Sequence, residues 1–245
     1  MSLIADARLF AQQHGLLPKR WPSLCRICQA WPSQPICEDC VQRFAQPVAR
    51  CNTCAQRLET PLCMACQHTP PPLDVCLCAV DYAYPWVNAI AHFKFQADPG
   101  LGRHLADLLR HTPWVEPALE TADRVIPMPL SAQRLRERGF NQAHELARHL
   151  APNKTDAHTL LRHEHKRHQV GQGRAERLAN ISGSFWVHPE HLQALRGERV
   201  LVVDDVMTTG ASLFEAARAL RAAGAAHITG LVFARTPAKP TQELS

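Results

Sequence analysis

One stretch carries a chemistry of its own: Val200-Leu201-Val202-Val203-Asp204-Asp205-Val206-Met207-Thr208-Thr209-Gly210-Ala211-Ser212. Adjacent carboxylates, Asp204 and Asp205, suit the hydroxyls of a sugar diol, since they accept hydrogen bonds and repel phosphate. Thr208, Thr209 and Ser212 supply hydroxyl donors around Gly210 and Ala211. Backbone N–H groups at a helix start are unpaired and partly positive, so this loop suits a phosphate. Gly210 permits close backbone approach or a positive φ. A diol acceptor beside a phosphate cradle describes a ribose 5-phosphate site. The magnesium-binding strand of P-loop ATPases also ends in acids, but its partner loop needs a Gly-Lys pair, and this chain has none. The plainest alternative is a pair of acids that simply ends a strand.

The elements that must hold these residues are legible. Val200 to Val203 reads as a strand buried on both faces, as in a parallel sheet. Leu213, Phe214, Ala217 and Leu220 have helical spacing over Ser212–Ala223, with Gly224 placed to end the helix. A second strand, Arg124 to Pro127, runs into Met128-Pro129-Leu130 and then Arg134, Arg136 and Arg138, with Asn141 able to cap a helix reaching Leu150. A strand end, a helix start and arginines describe an anion site of pyrophosphate size, with Pro127, Met128, Arg136 and Arg138 as its candidates; a solvated basic helix is the alternative. Val75–Tyr84 reads as a strand, Pro85–Phe95 and Leu101–Leu109 as helices, Gly183–Val187 and His227–Phe233 as further strands, and Arg235–Ser245 as a polar tail. Strands alternating with helices from residue 75 onward predict an α/β domain with a parallel sheet, whose ligands bind beyond the carboxyl ends of the strands.

Eight cysteines form a repeat. Cys25-x-x-Cys28, eight residues and Cys37-x-x-Cys40 are followed, at an offset of 26, by Cys51-x-x-Cys54, eight residues and Cys63-x-x-Cys66. A C-x-x-C turn points two thiolates at one ion, and two such turns complete a tetrahedral zinc sphere with no open position, which makes the sites structural. Two Zn²⁺ ions are expected, supplying most of the folding energy of a segment with little core of its own. Iron–sulfur clusters and redox dithiols are the alternative fillings, and either neighbouring or interleaved pairs could share an ion. Cys76 and Cys78, outside the repeat on one face of a strand, read as core.

Pro70-Pro71-Pro72 marks the boundary between residues 1–72, a short amphipathic N-terminal helix and the cysteine module, and residues 73–245, the α/β domain. At 245 residues with 46% apolar content the chain can bury a sizeable core. No apolar run approaches the roughly 18 residues a membrane helix needs, and Asp6 and Arg8 interrupt the only signal-like stretch. A cytoplasmic protein without membrane insertion is expected. Residues 131–180 carry ten Lys/Arg against five Asp/Glu and account for an excess equal to the whole formal charge of +5. The part from 152 to 181 sustains no hydrophobic period and reads as a long functional loop. Its basic residues suit polyanions, although an aromatic content of 6% is low for base stacking.

The residues from Val200 to Ser212 closely resemble the phosphoribosyl-pyrophosphate (PRPP) loop of type I phosphoribosyltransferases. Together with the doubled cysteine pairs, Phe93-Lys94-Phe95, Ile126-Pro127-Met128-Pro129-Leu130, Arg136-x-Arg138-Gly139-Phe140-Asn141-Gln142 and Gln169 with Arg174-x-x-Arg177-x-x-Asn180, they make nearly the whole chain similar to the ComF/GntX family. The resemblance implies a double zinc ribbon before a type I phosphoribosyltransferase domain, acting in DNA uptake and natural transformation. It implies PRPP as ligand with Mg²⁺, Asp204 and Asp205 on the ribose, residues 208–212 on the 5-phosphate, and Gln169, Arg174 and Arg177 in a mobile loop. Several proteins of this fold use PRPP as a signal, so transfer to an acceptor and binding alone both stay open. In a second reading, the zinc module contacts single-stranded DNA or a DNA-uptake helicase, and the PRPP site is regulatory or vestigial.

Overall fold

A computed structural model describes residues 23–95, 98–163 and 183–238. The expected N-terminal helix, Gln169, Arg174 and Arg177 lie outside the described residues. The elements in order are α1 (Glu38–Phe44), α2 (Met64–His68), β1 (Val75–Asp81), α3 (Trp86–Phe95), α4 (Gly100–Arg110), α5 (Val115–Thr121), β2 (Arg124–Pro127), α6 (Ala132–Arg138), α7 (Gln142–Leu150), β3 (Leu160–Arg162), β4 (Phe185–Val187), α8 (Leu192–Leu195), β5 (Arg199–Met207), α9 (Ala211–Ala222) and β6 (His227–Arg235).

A four-stranded sheet in the order β1-β6-β5-β2 is parallel throughout. Successive residues of a strand face opposite sides of the sheet. In β5, Val200 and Val202 enter one apolar cluster while Leu201 and Val203 enter the other, and all four are fully buried. The run of four apolar residues is thus explained by cover on both faces. One face is covered by α3, α4, α5 and α7 through Trp86, Ile90, Phe93, Leu105 and Leu146. The other is covered by α9 through Leu213, Ala217 and Leu220, and by the antiparallel pair β3–β4. In mid-β6, a side chain on Gly230 would meet Leu213 Cδ2 at 2.9 Å, so α9 lies against bare backbone there. No described helix is long and apolar enough to cross a membrane.

Two features depart from the sequence reading. Strand β3 lies inside a segment without periodicity: three residues are too few to show a period, and its partner β4 is remote in sequence. Arg235 is not the start of a polar tail. It ends β6, pairs in register with Met207, and is buried.

The cysteine segment shares its core with the sheet. Cys51, Cys54, Ala55 and Cys66 join the same cluster as Leu73, Met207 and Leu213. Cys76 and Cys78 are buried in that cluster, as their placement on one strand face predicts. On the other side, Trp86 packs edge-on to Phe233 with ring centroids 5.7 Å apart and donates its indole N–H to the Phe44 carbonyl at 2.7 Å. Replacing Trp86 with Ala should cost about 3–5 kcal/mol of stability in denaturant titration, the usual loss for a buried aromatic. Trp86→Phe keeps more of the packing and removes the hydrogen bond, so it should cost distinctly less. Equal losses would show that the hydrogen bond, not the burial, holds α1 on the sheet.

Candidate functional site

A cavity of about 430 Å³ lies beyond the carboxyl ends of β2 and β5. Asp204, Asp205 and Thr208 through Ser212 line it, together with Met128, Arg134, Arg138 and Arg162. Strand β5 continues through the two acids to Met207, and α9 starts directly after Gly210. The Asp205 N–H bonds Asp204 Oδ1 at 2.8 Å, which fixes the first carboxylate against the strand. Lys94 Nζ lies 3.0 Å from Asp205 Oδ1, and both side chains are mostly buried. Burial, and then the charge of Asp205, push the Asp204 carboxyl up to about 7 against the opposing pull of Lys94. Two like charges side by side, one buried and one half-buried, resist joint ionisation.

The basic wall is built from several elements. Ser131 caps α6 by accepting the Arg134 N–H at 3.3 Å. Gly139, at φ 78°, ends that helix, and Asn141 then caps α7 by accepting from Ala143 and His144. Asn141 also donates to the Met128 carbonyl at 3.0 Å, tying this cap to the turn after β2. Arg138 bonds the buried Gln142 side chain at 2.8 Å and lies over Phe95. Arg162, from β3, lies over Phe185; burial and the nearby Arg134 lower its guanidinium below the usual arginine range. Among the described residues no carboxylate forms an ion pair with Arg134, Arg138 or Arg162, although the charge of Asp204 acts on Arg138 and Arg162 within the same cavity.

Of the residues singled out from sequence, Asp204, Asp205, Thr208, Thr209, Gly210, Ala211, Ser212, Met128 and Arg138 line this one cavity. Pro127 is buried in β2, and Arg136 is exposed on α6; neither is among the lining residues. Arg134, part of the basic run read from the sequence, lines the cavity as well, and Lys94 and Arg162 are added by the structure. For Lys94 a signal existed: it stands four residues after the core residue Ile90, and such residues share a helix face. Gly210 takes the positive φ, one of the two reasons read from the sequence for a glycine there. Its φ is +87°, and an added Cβ would lie 2.5 Å from Met207 Cε and 2.7 Å from Phe214 Cζ, on the protein side of the loop.

The eight repeat cysteines form two sets, Cys25, Cys28, Cys37, Cys40 and Cys51, Cys54, Cys63, Cys66, with all sulfurs of a set within 4.8 Å of one another. Neighbouring pairs therefore share a site, and the interleaved arrangement is excluded. Sulfur separations are 3.9 Å for Cys25–Cys40, 3.6 Å for Cys28–Cys37 and 3.7 Å for Cys54–Cys63. A disulfide would need about 2.05 Å, whereas a tetrahedron with metal–sulfur bonds of about 2.3 Å has edges of about 3.8 Å. Each set fits one ion held by four thiolates. Burial works to raise the Cys25 thiol, but backbone donors led by Cys28 and Cys37 outweigh it and bring it down to about 6. Cys51 is likewise lowered to about 6, with the Cys63 N–H and Thr53 outweighing burial.

Residues 135–244 match the phosphoribosyl transferase domain family. DNA utilization protein YhgH of Salmonella typhimurium is 28% identical over 226 residues, covering 88% of this chain and 98% of that one. Competence protein F of Haemophilus influenzae is 30% identical over 209 residues, covering 79% of this chain and 87% of its own. Among solved structures, the allosteric regulatory enzyme of purine biosynthesis superposes with a TM-score of 0.39 at 18% identity, over 58% of this chain and 29% of that one. With paired four-cysteine sets ahead of a phosphoribosyl transferase domain, and a shared sequence over most of competence protein F, the chain belongs to the ComF/GntX family.

Proposed function

We propose that this protein binds PRPP with Mg²⁺ in the cavity beyond β2 and β5 and acts in DNA uptake, with two structural zinc ions in its cysteine module. The observation that carries this reading is the lining of one cavity: an acid pair and a hydroxyl-rich loop together with three arginines that form no ion pair with a carboxylate among the described residues. Asp204 and Asp205 accept the ribose hydroxyls. Loop N–H groups and the hydroxyls of Thr208, Thr209 and Ser212 hold the 5-phosphate at the start of α9. Arg134, Arg138 and Arg162 take the pyrophosphate, a role for which planar guanidinium groups suit paired oxygens. Lys94 pairs with Asp205 at 3.0 Å and holds that carboxylate at the cavity. Bound Mg²⁺ would supply charge neutralisation of the pyrophosphate. If transfer occurs, the bond from the anomeric carbon to pyrophosphate oxygen breaks as an acceptor atom bonds that carbon, and the residues here contribute positioning and electrostatics. The role in DNA uptake draws on the names of the relatives. The zinc assignment draws on closed four-thiolate sets of tetrahedral size.

The second reading is that the cysteine module contacts nucleic acid or a helicase and the PRPP site is regulatory or vestigial, with the basic stretch adding phosphate contacts. Its support is the charge excess of residues 131–180. Phosphate binding by such a stretch falls steeply with salt and depends little on base sequence. Salt-independent affinity for single-stranded DNA would remove this reading and leave the PRPP reading standing.

Calorimetric titration with PRPP and Mg²⁺ tests the main reading. Asp204→Asn and Asp205→Asn should each weaken binding roughly tenfold to a hundredfold, as expected when a hydrogen bond to a charged group is lost. Binding as tight as the parent's in both folded variants would rule this cavity out. Elemental analysis should return two zinc ions per chain; iron would overturn that assignment.

The raised Asp204 carboxyl sets a pH dependence. The native state binds this proton more tightly than the unfolded chain does, so ionising Asp204 costs stability. That cost grows from roughly pH 4 up to about 7 and is constant above. The melting temperature of Asp204→Asn minus that of the parent should therefore rise through this window and then level off. A flat difference would show that Asp204 ionises freely in the folded protein.

A further inference from the structure

The two cysteine sets share one sequence pattern but meet the rest of the protein differently. The Cys25 set touches α3 and its surroundings, through the Phe44 carbonyl on Trp86 and an exposed pair between Arg26 and Asp98. The Cys51 set reaches the ribose-phosphate loop. Arg235 Nε donates to the Cys54 carbonyl at 2.9 Å, and Nη1 of the same guanidinium donates to the carbonyls of Met207 at 3.2 Å, Thr208, and Thr236 at 3.0 Å. Arg235 is 7% exposed, and among the described residues no carboxylate pairs with it. A second link runs beside the first. The Asn52 carbonyl accepts the Cys76 N–H at 2.7 Å, and Cys76 Sγ lies 3.9 Å from Met207 Sδ.

Both links end on Met207, the residue that precedes Thr208 and whose side chain packs beneath Gly210. A buried guanidinium held only by carbonyls is stable while every acceptor stays in place, because a buried donor left unpaired is costly. One of those acceptors belongs to a metal ligand. Just after it, Ala55 holds a left-handed φ of 56°, a conformation a non-glycine residue keeps only when its surroundings impose it. Loss of the ion frees the Cys51–Cys54 turn to relax, which withdraws the Cys54 carbonyl and loosens the loop's anchor.

We infer that Arg235 is a positioning residue that couples the ion at Cys51, Cys54, Cys63 and Cys66 to the Met207–Gly210 loop, so that this ion, and not the one at the Cys25 set, governs the loop's hold on a phosphorylated ribose. The inference rests on the ribose-phosphate reading of that loop. Coupling between two sites is reciprocal, so the ligand must also strengthen retention of that ion.

The test uses the full-length, metal-loaded protein and follows the equilibrium partition of zinc to a competing chromogenic chelator with and without PRPP and Mg²⁺. Cys28→Ser and Cys63→Ser assign the two competition steps. PRPP should tighten zinc at the Cys51 set by roughly fivefold or more and leave the Cys25 set unchanged. Arg235→Lys keeps the charge but loses the fork, and should abolish this tightening while still binding both ions. Equal tightening of both sets, no tightening despite tight PRPP binding, or full tightening in Arg235→Lys overturns the proposal. Hydrogen exchange of residues 204–212 without ligand gives a second readout. Exchange should rise in Cys63→Ser and not in Cys28→Ser, and equal exchange in the two overturns the coupling. If the parent binds no PRPP, the functional reading fails and this exchange comparison alone decides the coupling. If Arg235→Lys does not fold, the wild-type chelation experiment and the exchange comparison decide it.

Discussion

The site depends on keeping two adjacent carboxylates at the end of a strand buried on both faces. Unpaired, such a pair sheds a charge by binding a proton, since desolvation and mutual repulsion both favour the neutral acid. The counter-charges come from far along the chain. Lys94 arrives on α3, packed on one face of the sheet, and Arg138 arrives on α6 beyond β2. Parallel topology makes this convergence possible. With every strand of the sheet running the same way, the ends of β2 and β5 and the connections that leave them open on one edge, and the acids, the arginines and the start of α9 meet there.

The cysteine module extends the core instead of sitting beside it. It packs into both apolar clusters of the sheet, through Ile36 on one face and Cys51, Cys54, Ala55 and Cys66 on the other, and adds two metal-sized cysteine tetrahedra. Its buried sulfurs also complete the cover of the sheet near β1 and Met207. Packing joins the cysteine segment to the sheet, since both belong to the same apolar clusters. Arg235 is the clearest sign of that union, since one guanidinium bonds the Cys54 carbonyl of a cysteine set and the Met207 carbonyl just before Thr208.

Much of the candidate site is legible in the order of residues along the chain. Carboxylates, hydroxyls and glycine after an apolar run, with a helical period following, define local geometry through neighbouring residues alone. A C-x-x-C turn is equally local, so the cysteine sets can be read, as can the burial of Cys76 and Cys78 on one strand face. Arg134 and Arg136 illustrate the limit. Both belong to the same basic run, and which one faces the cavity depends on where a seven-residue helix starts and how it sits on β2.

Short-range information is enough for the strand, loop and helix around Asp204 and Asp205, for the two tetrahedral cysteine sets as residue types, and for the α/β class. These rest on periodicity, turn chemistry and spacing, which neighbouring residues supply. Packing in three dimensions selected which cysteine pairs share a site, joined β3 to β4, brought Lys94 to Asp205, and made Arg235 a buried bridge instead of the start of a tail. Each of those outcomes turns on a contact between residues distant in sequence. Residue type limits what such a contact can be, but only the packed chain selects the partner.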